Sequence, residues 1–200
     1  MKKFAFLMVS ALVFCGSLNA QDKEIKHEIA VSFGGMSNSN WIDAFENVGG
    51  AIAGARFDGE KFVGPFSAEY FYHFDKKVSL GAIFCYGQLK EDVYMNGRNN
   101  PKDGKLTNGY FTVMPAVKYD WYTSKNIGLY SKAGVGITFR SEEIKFDDNS
   151  RYKDITDSEV HFNWQLSLIG FEVGSRNVRA FAELGVGEQG MGQVGLRCKF

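Results

Sequence analysis

The C-terminal stretch Phe181-Ala182-Glu183-Leu184-Gly185-Val186-Gly187, followed after a short connection by Gln193-Val194-Gly195-Leu196-Arg197-Cys198-Lys199-Phe200, decides the fold. Ala182, Leu184 and Val186 alternate with Glu183, Gly185 and Gly187, and Val194, Leu196, Cys198 and Phe200 alternate with Gln193, Gly195, Arg197 and Lys199. A period of two marks a strand with one apolar and one polar face. Two such runs joined by Glu188-Gln189-Gly190-Met191 read as a β-hairpin. If Gln189-Gly190-Met191 is a three-residue loop, 188 pairs with 192 and Glu183 stands opposite Arg197. A strand that ends directly on an outward aromatic is expected at a membrane boundary. The hairpin must either be enclosed by the rest of the chain or remain a sticky edge, and closure is the expectation.

At the other end, Met1-Lys2-Lys3 is a basic start, Phe4 to Phe14 an apolar run, and Ser17-Leu18-Asn19-Ala20 a small-residue cleavage pattern. Residues 1–20 thus read as an export signal and 21–200 as one domain. The apolar run is too short to cross a bilayer as a helix. Removing Lys2 and Lys3 with the signal turns 23 basic and 23 acidic residues into 21 and 23. That near-neutral balance gives no electrostatic basis for binding nucleic acid. Cys85 and Cys198, the two cysteines beyond Cys15, are too few for a disulfide framework and are not expected to bond to each other. No mature segment is apolar for long enough to span a membrane as a helix.

Alternation recurs along the chain. The strands expected are Ile25–Phe33, Pro65–Phe74, Val78–Tyr86, Tyr110–Trp121, Ile127–Arg140, Val160–Leu168 and the terminal pair, eight in all. Long connections, 34–63, 90–108 and 141–158, alternate with tight turns near Asp75, Tyr122–Asn126 and Glu172–Asn177. Asn40–Phe45 reads as a possible short helix capped by Ser39 or Asn40. Pro115 removes one ladder donor and suggests a bulge. An even strand count with short turns at one end and long loops at the other describes a transmembrane β-barrel. The predicted fold is therefore all-β: an eight-stranded antiparallel up-and-down barrel.

The polar face settles which side is inside. It interleaves many glycines with Phe71, Tyr110, Tyr130, Phe181 and charged side chains. Glycine weakens a strand unless something large packs over it, and mixed small and large residues fill the interior of a narrow barrel. The apolar face, with Phe74, Trp121, Phe139, Phe162 and Phe200 near strand ends, then faces lipid. The interior would hold Lys26, Glu28, Glu69, Lys118, Asp120, Lys132, Arg140, Arg179, Glu183, Arg197 and Lys199, with Glu69, Lys118, Lys132, Glu183 and Arg197 as the heart of a paired charge network.

Val113-Met114-Pro115-Ala116-Val117-Lys118-Tyr119-Asp120-Trp121-Tyr122, Leu129-Tyr130-Ser131-Lys132-Ala133-Gly134-Val135-Gly136 and the terminal hairpin resemble the small outer-membrane β-barrel proteins of the Bacteroidota. The resemblance spans essentially the whole mature chain. It implies an OmpA-type transmembrane architecture with no appended periplasmic domain, a place in the outer membrane among lipid and lipopolysaccharide, and Phe200 as a signal read by the barrel-assembly machinery. It implies no particular activity, cofactor or metal.

Three functions remain open on the sequence: a structural or surface-binding barrel acting through its external loops, a lipid A-modifying enzyme, and a narrow pore or carrier. No catalytic residue is assigned. His27 is expected on the lipid face, and His73 and His161 in the lumen, without a nucleophile at convincing spacing. Asp147-Asp148-Asn149 lacks the spacing of a calcium loop.

Overall fold

The computed structural model describes residues 25–35, 37, 55–95, 104–146 and 155–200. The export segment, the possible helix at Asn40–Phe45 and Asp147–Asn149 lie outside them. Eight antiparallel strands form a closed barrel in chain order: β1 (His27–Gly35), β2 (Ala55–His73), β3 (Val78–Met95), β4 (Gly104–Thr123), β5 (Ile127–Phe146), β6 (Ile155–Gly174), β7 (Val178–Gly187) and β8 (Gly192–Lys199). Closure runs through β1 and β8, from Glu28 opposite Lys199 to Gly35 opposite Gly192, so neither terminal strand is left with an open edge.

The two faces fall as the alternation predicts. Glu28, Phe71, Ile83, Met114, Tyr130 and Glu183 are buried, while Phe74, Trp121, Phe162, Leu168 and Leu184 point outward and exposed. In a barrel the wall is the only barrier between the two, so burial of the polar side and exposure of the apolar side together require lipid outside. Along one row of outward cross-strand partners, Phe33, Phe66, Tyr86, Phe111 and Phe139 follow one another from β1 to β5. Nearer the tight turns, Tyr72 meets Phe74, and Tyr119 meets Trp121, edge to face at 5.0 Å. These are the aromatic belts of a lipid-crossing wall.

The strands are longer than alternation alone suggests. β2 to β6 have 18 to 20 residues, whereas β1, β7 and β8 have 8 to 10. A tilted strand needs about 9–11 residues to cross the hydrocarbon. Because the turns at 74–77, 124–126 and 175–177 are all tight, the extra length lies wholly at the long-loop end. The long connections are correspondingly shorter than expected: 36–54, 96–103 and 147–154. In β2 the continuation past Gly64 is made by a register shift between Val63 and Phe66, with Gly64 at φ +117°, a conformation that side chains disfavour.

Two further expectations are corrected. Pro115 produces no bulge: β3 and β4 stay in register through it, and the β4–β5 register is the same at Val113–Ile137 as at Ala116–Gly134. Its missing N–H is absorbed without an inserted residue. Register shifts fall instead between Asp58 and Lys61 and between Val63 and Phe66 on β2, between Asp120 and Tyr122 on β4, between Tyr130 and Lys132 on β5, and between Ser167 and Ile169 on β6. The expected turn at Glu172–Asn177 also begins later, because β6 runs on to Gly174.

Candidate functional site

Among the described residues, charged side chains gather out of water in the lumen. On the β2–β4 side it is filled by the apolar group Phe71, Ile83, Cys85, Met114 and Ala116. Cys85 is a free, buried thiol beside Ser67 Oγ at 3.4 Å, so it is not bonded to Cys198. Large rings lie over small residues. A Cβ at Gly87 would run into the Tyr110 ring, and one at Gly170 into the Tyr130 ring, so glycine is what allows each tyrosine to lie flat over its partner on the adjacent strand.

The rest of the lumen is an ion-pair network centred on Arg197. Its guanidinium lies between the Tyr130 and Phe181 rings, with Cζ 4.4 and 4.5 Å from their centroids. Nε is 2.8 Å from Glu28 Oε1 and Nη1 is 2.6 Å from Glu172 Oε2. Nη2 stands farther off, 3.8 Å from Glu69 and 3.7 Å from Glu183. Lys118 Nζ lies 2.6 Å from Glu28, and Lys132 Nζ lies 2.5 Å from Glu69 and 2.9 Å from Glu183. Arg179 and Lys199 take Glu172 at 2.7 and 2.5 Å. Glu183 also accepts from Tyr130 Oη at 2.6 Å and from Gln193 Nε2. Five bases thus interlock with Glu28, Glu69, Asp120, Glu172 and Glu183, as buried charges require.

The structure therefore brings Glu69, Lys118, Lys132, Glu183 and Arg197 into one contiguous cluster. Lys26 stands apart, exposed at the short-turn mouth, and Arg140 lies at the other end, 3.6 Å from Glu142. Glu172, absent from the expected set, proves to be a hub. The bulge at Ser167–Ile169 turns both Leu168 and Ile169 outward, which shifts the inward positions from odd to even numbers and hides Glu172 from a strict alternation.

The hairpin register is also different from expectation. Glu183 pairs with Gln193 and Arg179 pairs with Arg197, the last pair being Leu184 with Gly192. Arg197 therefore stands four residues along β8 from Glu183's own partner, and the two are joined only through the length of the arginine. The reason is the connection itself, which folds into the barrel instead of capping it. Gly187 at φ +141° and Gly190 at φ +99° turn the chain inward, and Glu188 and Gln189 are fully buried. Glu188 accepts from Asn163 Nδ2 at 2.8 Å, while Gln189 Nε2 donates to Glu69 Oε1 at 2.6 Å and the Gln189 N–H to Gln165 Oε1 at 2.7 Å. The shortest connection at the long-loop end is a stopper, sewn to the charge network below it.

The histidines sit as the faces predict. His27 is outside, stacked on Phe200 with ring centroids 5.5 Å apart and 2.9 Å from Tyr70 Oη. His73 lies inside, with Nδ1 2.8 Å from Ser79 Oγ and Nε2 3.1 Å from Glu28 Oε2. This serine–histidine–carboxylate chain is invisible in the sequence, since Glu28 on the neighbouring β1 lies 45 residues from His73 along the chain. Ser79 has no exposed surface. Its hydroxyl can orient His73 but has no room for an acyl group, which a nucleophile must reach. Among the described residues no group of three or more histidine, cysteine or acidic residues could hold a metal ion.

No curated protein matches the chain. Among solved structures it is similar to Ail, the attachment invasion locus protein of Yersinia pestis, in complex with the heparin analogue sucrose octasulfate, at 11% identity and a TM-score of 0.46, covering 88% of this chain and 96% of that one. It is similar also to the N-terminal β-barrel domain of Pseudomonas aeruginosa OprF, at 15% identity and a TM-score of 0.39, covering 88% and 100%. A third is OprG from Pseudomonas aeruginosa, at 12% identity and a TM-score of 0.37, covering 88% and 96%. The family model for the outer membrane protein beta-barrel domain matches residues 8–176. A lipid-facing wall closed around an ion-paired interior and a match over most of the chain lead to one conclusion: this chain belongs to the outer membrane protein beta-barrel domain family.

Proposed function

We propose that the chain is a sealed outer-membrane scaffold that binds its partners through the tall β2–β6 rim and the connections it carries, with no turnover of its own. The observation that supports this most is the filled lumen. Arg197 between two rings, Lys118 and Lys132 with their carboxylates, and the inward Glu188–Gln189 stopper occupy the axis. Eight strands enclose a space about wide enough for side chains alone. With the interior committed, variation in function belongs to the loops on a rigid wall.

In this reading residues 1–20 direct export, the barrel-assembly machinery recognises the strand ending in Phe200, and lipid and lipopolysaccharide surround the wall. The external ligand is to be found by presenting the purified barrel to lipopolysaccharide and extracellular-matrix panels. Binding that is lost when 147–154 or 96–103 is replaced by a short Gly-Ser link, in a barrel that still assembles, supports the scaffold. Steady single-channel conductance in planar bilayers would replace it with a pore. Release of acyl chains from lipid A by the wild type but not by Ser79→Ala would replace it with an enzyme.

A further inference from the structure

Two adjacent rows of cross-strand partners cross the outer wall on the side where β1, β8 and β7 are short. One row runs Gly35, Gly192, Leu184, Ile169, and the next runs Phe33, Val194, Ala182, Phe171, each from β1 through β8 and β7 to β6. These positions face outward, and the large side chains among them are exposed. Between them lies a groove of about 620 Å³. Gly35, Gly192 and Ala182 make its floor, and Phe33, Val194, Leu184, Ile169 and Phe171 stand around it. Four strands spaced about 4.8 Å apart make it roughly 14 Å long.

The two glycines of this floor are required neither by the backbone nor by the barrel interior. Neither has the left-handed φ that favours glycine. Among the described residues, a Cβ on Gly35 would meet nothing within 4 Å, and one on Gly192 would meet Leu184 Cδ2 at 3.9 Å. Gly87 and Gly170 differ, because a Cβ there would strike a tyrosine ring. Gly35 and Gly192 are direct partners, so the two missing side chains fall side by side. Glycine weakens a strand, and where the fold does not ask for it, it marks a place that something else approaches. The polar side chains of the same stretch, Glu183 and Gln193, turn inward, where they bond to each other and to Lys132, Tyr130 and Ser32. The groove therefore presents no polar side chain, and what fills it is hydrocarbon.

The groove is continuous with the lipid-facing wall, so acyl chains are the hydrocarbon at hand. Chains that bridged it would forfeit dispersion contacts along its lining. In lipid, apolar surfaces gain nothing by leaving water, and packing of this kind decides what stays bound. We propose that the groove is a binding site for one acyl chain of a membrane lipid, seated across β1, β8, β7 and β6 on the floor of Gly35, Gly192 and Ala182 and held there while the surrounding lipids exchange. Its volume lies within the usual range of small-molecule sites. Its length of roughly 14 Å is about one leaflet's half of the roughly 30 Å hydrocarbon core. Gly35 and Gly192 stand at the long-loop ends of their strands, which sets the site in the outer leaflet. The chain is recognised, and the headgroup is not.

The test reconstitutes the full barrel in dimyristoylphosphatidylcholine nanodiscs, releases it into a native mass spectrometer and counts the lipids it retains. The wild type should retain one lipid, and the lipid-bearing fraction should fall roughly tenfold in Gly35→Val with Gly192→Val, whose side chains fill the floor. Both Cβ positions are open, so this variant should still run as a heat-modifiable barrel. Ala182→Leu fills the floor from β7 and should act alike, which decides the matter if the double variant does not assemble. Gly109→Val, equally open but on β4, should leave the count unchanged. So should phosphatidylglycerol with the same chains. No retained lipid in the wild type, retention that the filled variants keep, or retention that follows the headgroup overturns the proposal. A wild-type dimer that the filled variants dissociate overturns it in favour of a second copy. Retention that appears only after 36–54 is replaced by a short Gly-Ser link overturns it in favour of the chain's own segment.

Discussion

Arg179 on β7 and Arg197 on β8 stand directly opposite each other, two guanidinium groups facing into one lumen, and a single carboxylate, Glu172, holds both at 2.7 and 2.6 Å. Like charges in opposed positions ordinarily weaken a strand pair. Here the pair is tolerated because Glu172 reaches in from β6, and Lys199 adds a third cation to it at 2.5 Å. One acid from a neighbouring strand thus ties the last two strands to the wall.

Glu172→Gln should be the most damaging single charge removal in the barrel. It leaves three buried cations around a neutral amide, a loss on the order of 3–5 kcal/mol. Urea unfolding in lipid vesicles, followed by tryptophan fluorescence, should show a clearly lowered midpoint. A midpoint equal to wild type would mean that the three cations find other partners.

Two double-mutant cycles separate contact from proximity. Lys132 lies 2.9 Å from Glu183, and Arg197 lies 3.7 Å from the same side chain. The Lys132–Glu183 coupling should fall in the range of about 0.5–3 kcal/mol measured for residues in contact, and the Glu183–Arg197 coupling should be smaller. The reverse order would favour the register in which Glu183 and Arg197 are direct partners.

Gly170→Val should destabilise the barrel by about 1–3 kcal/mol or more through overpacking, because its side chain enters the space of the Tyr130 ring. Tyr130→Ala in the same protein should recover part of that loss, although it also removes the hydroxyl that donates to Glu183. Additive losses in the unfolding assay would show that the ring moves aside at no cost.

Phe200→Ala tests assembly against stability. The ring stacks on His27 at the outer edge of the β1–β8 seam, and one aromatic side chain is worth about 1.5–3 kcal/mol by area. If the assembly machinery reads this residue, the amount of heat-modifiable barrel in the outer membrane should fall far more than the unfolding midpoint of the barrel that does assemble. Parallel losses would make Phe200 a packing residue only.

The membrane-embedded part of the barrel was readable because lipid enforces strict alternation there. Val113, Val117 and Tyr119 outside, with Met114, Ala116 and Lys118 inside, leave no other reading. Above the bilayer that pressure disappears. Lys105, Thr107, Glu142, Glu143 and Asp157 sit on strands with water on the outside, so their polar runs look like loops although they pair in register. Bulges are the other blind spot. Leu168 and Ile169 both face outward, one residue slips, and Glu172 falls on the wrong parity for anyone counting by twos.

The charge cluster was legible as a set of inward positions but not as a set of partners. Which acid meets which base depends on shear around the barrel, and Lys118 meets Glu28 across a gap of 90 residues. The inward turn of Glu188 and Gln189 carried a faint signal, two polar residues between Gly187 and Gly190. Nothing in their spacing distinguishes a stopper from an ordinary hairpin loop.

The uneven strand lengths have a consequence for direction. Among the described residues, β2 to β6 rise well past β7, β8 and β1, so the strand wall is tall on one side and low on the other. The protein therefore has a front and a back in the plane of the membrane, and its neighbours there are not equivalent.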